Sequence, residues 1–176
     1  MYEQFWIMVT LMGSPLLSTS FLIILVAIYF LIGRRHPMGK DSAVYRRMLK
    51  KYLLLIIPAL LISMLGTELL KLVFMVPRPC LLCPALGCNP YCPITFSFPS
   101  GHASTITGIV TALFLLLRKR KYLLLFILPL IVAASRVILG VHTVIDVIGG
   151  FIFGLVLTMI VWRFRKRLYK WEDEIL

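Results

Sequence analysis

Apolar residues run in long, nearly unbroken stretches along this chain, and polar residues gather in short clusters between them. Five stretches approach or reach spanning length: 15–32, 52–70, 101–117, 122–141 and 143–162. A membrane crossing needs about 20 mostly apolar residues. The pattern therefore predicts an all-α polytopic bundle of about five transmembrane helices. The first 14 residues, MYEQFWIMVTLMGS, lack the basic n-region of a signal peptide. With Phe5, Trp6 and Met8 they read as a helix lying in the membrane interface. Pro58 and Pro129 fall inside the second and fourth spans and predict kinks there. Gly150-x3-Gly154 in the fifth predicts close helix contact. With no internal repeat or low-complexity tract, a single domain is expected over 1–176, with 77–99 as a Cys- and Pro-rich outer loop.

Composition agrees with the pattern: 60% of residues are hydrophobic and only 15% charged. The net charge of +12 raises the question of a nucleic-acid partner. Position answers it. Segments 33–51, 118–121 and 163–170 together hold 16 of the 19 Lys and Arg residues. With five spans all three fall on one side, which the positive-inside rule makes cytoplasmic. The expected arrangement is a plasma-membrane protein with its N-terminus outside and C-terminus inside. Its basic clusters face anionic lipid, and no nucleic-acid partner is expected.

Three cations lie away from the basic side: Lys71, Arg78 and Arg136. On the same topology His102 opens the third span, His142 lies in the turn between spans four and five, and Asp146 begins the fifth. Each has an ordinary structural reading. Lys71 can snorkel to the interface, Arg136 can pair with Asp146, His102 can be a satisfied helix-start residue, and Ser100 can be a plain N-cap beside a turn glycine, Gly101. Six ionisable groups at one membrane depth point instead to a functional site.

The chemistry of the set is that of an anion site. Lysine supplies a point charge and each arginine a planar fork suited to phosphate oxygens. Ser100-Gly101-His102, in the run FPSGHAST, adds backbone N–H groups at a helix start. His142 and Asp146 are four residues apart, so a carboxylate is placed to orient one imidazole as a nucleophile. His102, from another span, is placed to protonate a leaving oxygen. No carboxylate cluster points to a catalytic metal, and no cofactor is expected.

Lys71-x6-Arg78-Pro79, then Pro99-Ser100-Gly101-His102, then Ser135-Arg136-x5-His142-x3-Asp146 resemble the three-part signature of the type 2 phosphatidic acid phosphatase superfamily. The resemblance runs from about 60 to 155. It implies a metal-independent lipid phosphatase working through a phosphohistidine, with an extracytoplasmic site. His142 would be the nucleophile, Asp146 its partner and His102 the leaving-group acid, while Lys71, Arg78, Ser100, Gly101 and Arg136 would bind phosphate. Prenyl carrier pyrophosphate is the first expected substrate, then phosphatidylglycerol phosphate or phosphatidic acid, then phosphotransfer to another acceptor. A lipid-phosphate binding scaffold is the non-enzymatic alternative; it would need the cations but not His142. Two features depart from the pattern. Many members have six spans, and Val76 stands where an extra arginine often precedes the Arg-Pro pair. Glu68 lies one turn before Lys71, either tuning it or holding the helix end as an ion pair.

Cys80, Cys83, Cys88 and Cys92 crowd the outer loop with the spacing C-x2-C-x4-C-x3-C. Outside the cell this reads first as two disulfides, with three connectivities open. A structural zinc site and free thiols are the alternatives.

Overall fold

The computed structural model of the protein describes residues 2–11, 13–14, 20, 40–82 and 92–175. Among these, every regular element is helical. We number the helices α1 (Tyr2–Leu11), α2 (Lys40–Phe74), α3 (Pro79–Leu82), α4 (Gly101–Leu117), α5 (Ile127–Ile138) and α6 (Val144–Ile175), with a 3₁₀ segment at Arg120–Phe126. Three described stretches are long and apolar enough to cross a membrane: Leu53–Leu82, Arg120–Ile138 and Val144–Arg165. Gly101–Leu117 is a shorter apolar helix. The span expected over 15–32 lies almost wholly outside the described residues.

The span expected at 122–141 forms one apolar helical stretch, Arg120–Ile138, whose first part is 3₁₀. Pro129 has no N–H to give the carbonyl of Leu125, so one α-helical bond is missing where the two parts meet. The chain enters in tighter 3₁₀ turns and becomes α-helical at Ile127. Pro58 sits inside α2 without ending it.

Helix α4 lies at the centre, packed on α6 and on α2, and those two also touch each other. The approach of α4 to α6 depends on glycine. A Cβ at Gly150 would overlap the carbonyl oxygen of Ser100, and one at Gly154 that of Ser104. The spacing Gly150-x3-Gly154 thus lets two backbones meet, as small residues do between membrane helices. Leu55, Ile56, Leu60, Ala112 and Val161 fill the contact among the three helices. Lipid-facing positions such as Leu65, Leu69, Ile145 and Ile152 remain exposed.

Two short connections complete the scaffold. Helix α1 packs on α5 and presents Phe5, Met8 and Leu11 outward. The segments before α3 and before α4 are tied together at three levels. Ser97 N–H donates to the Val76 carbonyl at 2.8 Å, Arg78 bonds Thr95, and Cys80 is joined to Cys92 by a disulfide. Cys83 and Cys88 lie outside the described residues.

The glycine contact predicts a size limit. Gly154→Ala should cost about 1–3 kcal/mol through overpacking, whereas Ile152→Val, on the lipid-facing side, should leave stability unchanged. Thermal unfolding of the two variants in detergent checks the difference.

Candidate active site

Six parts of the fold deliver the ionisable residues to one end of the bundle. Lys71 comes from the last turn of α2, Arg78 from the connection after it, His102 from the first turn of α4, Arg136 from the last turn of α5, and Asp146 from the first turn of α6. His142 sits in the turn between α5 and α6, where its N–H and that of Val141 both point at the Arg136 carbonyl, at 3.3 and 3.2 Å. Lys71, Arg78, Arg136, His142 and Asp146 are all buried. Electrostatic interactions link His102 to Arg136, His142, Lys71 and Arg78, so the second histidine shares the same cluster.

The start of α6 is built by a reciprocal pair. The Asp146 carboxylate accepts from the Thr143 N–H at 2.7 Å, and Thr143 Oγ1 accepts from the Asp146 N–H at 3.2 Å. This is a capping box with aspartate in place of the usual glutamate. It holds Asp146 Oδ2 3.5 Å from His142 Nδ1. Ser97 lies between them. Its hydroxyl donates to Asp146 Oδ2, and its oxygen is 3.3 Å from His142 Nδ1.

The other ring nitrogen of His142 faces Arg78. One Arg78 Nη1 proton points at His142 Nε2, 3.0 Å away, and Nη1 also donates to the Val141 carbonyl at 3.1 Å. Guanidinium has no acceptor, so Nε2 must offer a lone pair here and the imidazole proton resides on Nδ1. Arg78 itself is clamped from behind, with Nε on the Thr95 carbonyl at 2.7 Å and Nη2 on Thr95 Oγ1 at 2.9 Å.

The helix-start residues leave their polar groups open. Ser100 is the N-cap of α4, yet its hydroxyl makes no capping bond and meets no hydrogen-bond partner among the described residues. A Cβ at Gly101 would lie 3.7 Å from Lys71 Nζ, so the ammonium stands over the helix start. Lys71 is paired with Glu68 at 2.6 Å and buried, not simply snorkelling at the interface. Arg136 donates from Nη1 to Thr10 Oγ1 of α1 at 2.9 Å rather than to Asp146, and its Nε meets no partner among the described residues. An unsatisfied buried hydroxyl, an unsatisfied guanidinium N–H and an ammonium thus surround one helix N-terminus. Buried polar groups of this kind demand a partner; an anion with several oxygens meets that demand.

Sequence reasoning missed four hydroxyls that organise the set: Thr10, Thr95, Ser97 and Thr143. Thr143 was detectable, since Thr-x-x-Asp before an apolar run is a capping-box pattern. The other three act on residues distant in sequence and leave no local signal. The disulfide takes Cys80 and Cys92 out of reach of a zinc ion or a free-thiol role.

The fold and site define an all-helical membrane protein that gathers cations and two histidines at one end of its bundle. It belongs to the PAP2 superfamily, whose profile matches residues 51–170. Among curated proteins it is 38% identical over 90 residues to phosphatidylglycerophosphatase B of Bacillus subtilis, covering 46% of this chain and 44% of that one. It is 44% identical over 63 residues to the undecaprenyl-diphosphatase of Sulfolobus acidocaldarius, covering 35% and 30%. The matches thus span less than half the length of these relatives. Among solved structures, the transmembrane PAP2-type phosphatidylglycerolphosphate phosphatase of Bacillus subtilis superposes with a TM-score of 0.62 at 24% identity, covering 94% of this chain and 77% of that one. Aquifex aeolicus LpxE gives 0.57 at 22%, covering 92% and 86%. At these identities the superpositions establish the fold.

Burial pushes the His142 imidazole down to about 4; the Asp146 contact opposes the shift, and the charges of Arg78 and Arg136 reinforce it. The ring is then neutral at pH 7. An unfolded histidine titrates near ~6.5, so between that pH and about 4 the unfolded chain binds the extra proton. The sign follows: stability rises with pH across this window and is fully present above it. Histidine-selective NMR titration should find the His142 ring still neutral at pH 5. Protonation near the ordinary histidine value would contradict the geometry.

Proposed function

We propose that the protein hydrolyses a lipid phosphate or pyrophosphate at the outer membrane face through a phosphohistidine on His142. The observation that carries the reading is the state of that imidazole. Its Nε2 lone pair faces the cation that would hold a phosphoryl oxygen, while Nδ1 faces Asp146.

In the first step Nε2 attacks phosphorus and the bond to the lipid oxygen (or to the bridging oxygen of a pyrophosphate) breaks. His102 gives its proton to that oxygen. Asp146 stabilises the imidazolium that forms. Arg78 turns from Nε2 to the phosphoryl oxygens, where Lys71, Arg136, the Ser100 hydroxyl and the N–H groups around Gly101 share the developing charge. In the second step His102, now a base, takes a proton from water; the hydroxyl attacks phosphorus and the P–N bond breaks, releasing phosphate. The cations do the electrostatic work that metal ions do in other phosphoryl-transfer sites.

Prenyl carrier pyrophosphate is the first substrate in this reading, supported by the undecaprenyl-diphosphatase relative. Phosphatidylglycerol phosphate is the second, supported by the Bacillus subtilis relative. The outward placement is supported by the basic segments: if 118–121 and 163–170 lie on the cytoplasmic side, the opposite end of the bundle faces out. The chain acts as one membrane-embedded unit.

A phosphate-release panel in detergent without added metal tests the reading. Wild type should release phosphate from at least one of prenyl pyrophosphate, phosphatidylglycerol phosphate and phosphatidic acid. His142→Ala should abolish release, and His102→Ala should slow it by about 10²–10⁴-fold. No release from any substrate, or full activity of His142→Ala, would overturn the mechanism. For orientation, a membrane-impermeant maleimide applied to intact cells after reduction should label the four-cysteine loop; labelling only after permeabilisation would invert the site.

A further inference from the structure

We infer that Ser97 is a positioning residue of the catalytic pair: its hydroxyl bridges Asp146 to His142 and holds the nucleophile in its Nδ1–H tautomer. The inference rests on the phosphohistidine reading and adds to it a residue outside the three motifs that carry it. Ser97 is fully buried, and its backbone N–H is fixed on the Val76 carbonyl at 2.8 Å, so the side chain has little freedom.

The argument is one of donor count. A serine hydroxyl has one proton and two acceptor lone pairs. The proton of Ser97 goes to Asp146 Oδ2. The oxygen therefore meets His142 Nδ1, 3.3 Å away, only as an acceptor. Nδ1 must then be the donor. The carboxylate alone holds the ring weakly, since Oδ2 is 3.5 Å from Nδ1 and already receives the Thr143 N–H at 2.7 Å. An ordinary N–H···O bond lies at 2.7–3.2 Å, so Nδ1–H is shared between Ser97 and Asp146 in a three-centre arrangement.

Arg78 enforces the same tautomer from the opposite side, because it can only donate to Nε2. The two constraints differ in lifetime. When a phosphoryl group arrives, Arg78 turns to its oxygens and Nε2 is released to attack. Ser97 stays in place. It holds the tautomer during the step in which Arg78 no longer does, and as Nε2 becomes bonded to phosphorus it keeps the Nδ1–H of the imidazolium turned towards Asp146.

Ser97→Ala, Ser97→Thr and wild type should be compared in two measurements. The first is the kcat and KM for phosphate release on the best substrate of the panel, with inhibition by inorganic phosphate. Ser97→Ala should lose about 10–100-fold in kcat, well short of the ~10⁴ seen when a triad histidine takes the wrong tautomer. KM and phosphate inhibition should stay within about twofold, because Ser97 touches no phosphate ligand. Ser97→Thr should recover most of the rate. The second is ¹⁵N-histidine NMR with saturating inorganic phosphate, which draws Arg78 off Nε2; it is practicable with three histidines in the chain and reads the tautomer whether or not a lipid substrate has been found. With phosphate bound, wild type and Ser97→Thr should show His142 as the single Nδ1–H form, and Ser97→Ala a mixture of tautomers. The inference is overturned if Ser97→Ala keeps the single tautomer with phosphate bound, or if wild type itself shows the other one. It is overturned equally if kcat in Ser97→Ala stays within about twofold of wild type, or if alanine and threonine impair it alike. Absence of phosphate release from wild type would instead count against the proposed reaction.

Discussion

One buried carboxylate holds this end of the molecule together. Asp146 caps its own helix by accepting from the Thr143 N–H, receives the Ser97 hydroxyl and stands against the His142 ring. Its backbone carbonyl accepts the Ser100 N–H at 2.9 Å, which joins the start of α6 to the start of α4. Helix terminus, the segment before α4 and a second helix are thereby registered on a single residue. A buried carboxylate is costly unless hydrogen bonds satisfy it. Here two donors converge on one of its oxygens, and cations lie nearby. The same bonds that make its burial tolerable also aim the imidazole.

The cations follow the complementary logic. Three buried basic side chains at membrane depth would repel one another and leave N–H groups unsatisfied. The protein assigns each a different holder: Glu68 for Lys71, the Thr95 carbonyl and hydroxyl for Arg78, and Thr10 for Arg136. Most of these holders are neutral oxygens rather than carboxylates. They fix the direction of each cation without cancelling its charge, so the site remains electropositive and ready for an anion. Lys71 is the exception, and its partner Glu68 is largely exposed, where solvent weakens the pairing.

Two segments at the edge of the bundle act at its centre. The loop closed by Cys80–Cys92 brings Thr95 to Arg78 and Ser97 to the His142–Asp146 pair. Helix α1 reaches Arg136 through Thr10, while Gly13 just beyond it lies against His102 and Val132. A loop expected only to carry cysteine chemistry is therefore also a structural support for the His142–Asp146 pair, and helix α1 is part of the frame around Arg136.

Much of this was legible in the sequence, because ionisable residues stand out against an apolar background. The length of the apolar stretches predicted the helices, and the all-helical bundle bears this out. The distribution of basic residues isolated Lys71, Arg78 and Arg136 before any contact was known. The three spaced motifs led to the superfamily, which the match over 51–170 bears out. What stayed hidden depends on where chain segments far apart in sequence meet. The 3₁₀ entry to the fourth span lies in the turns just before Pro129. The direct contact expected from the i,i+4 spacing of His142 and Asp146 is completed by Ser97, 49 positions from the carboxylate. Thr10 meets Arg136 across 126 positions. Serines and threonines are common in membrane helices and loops, and a hydroxyl carries no charge to betray its role. The sequence by itself determined which groups had to leave the lipid and what anion chemistry they share. Only the tertiary structure decided which neutral oxygens hold them and which nitrogen of His142 carries the proton, because a tautomer is set by neighbours on both sides of the ring.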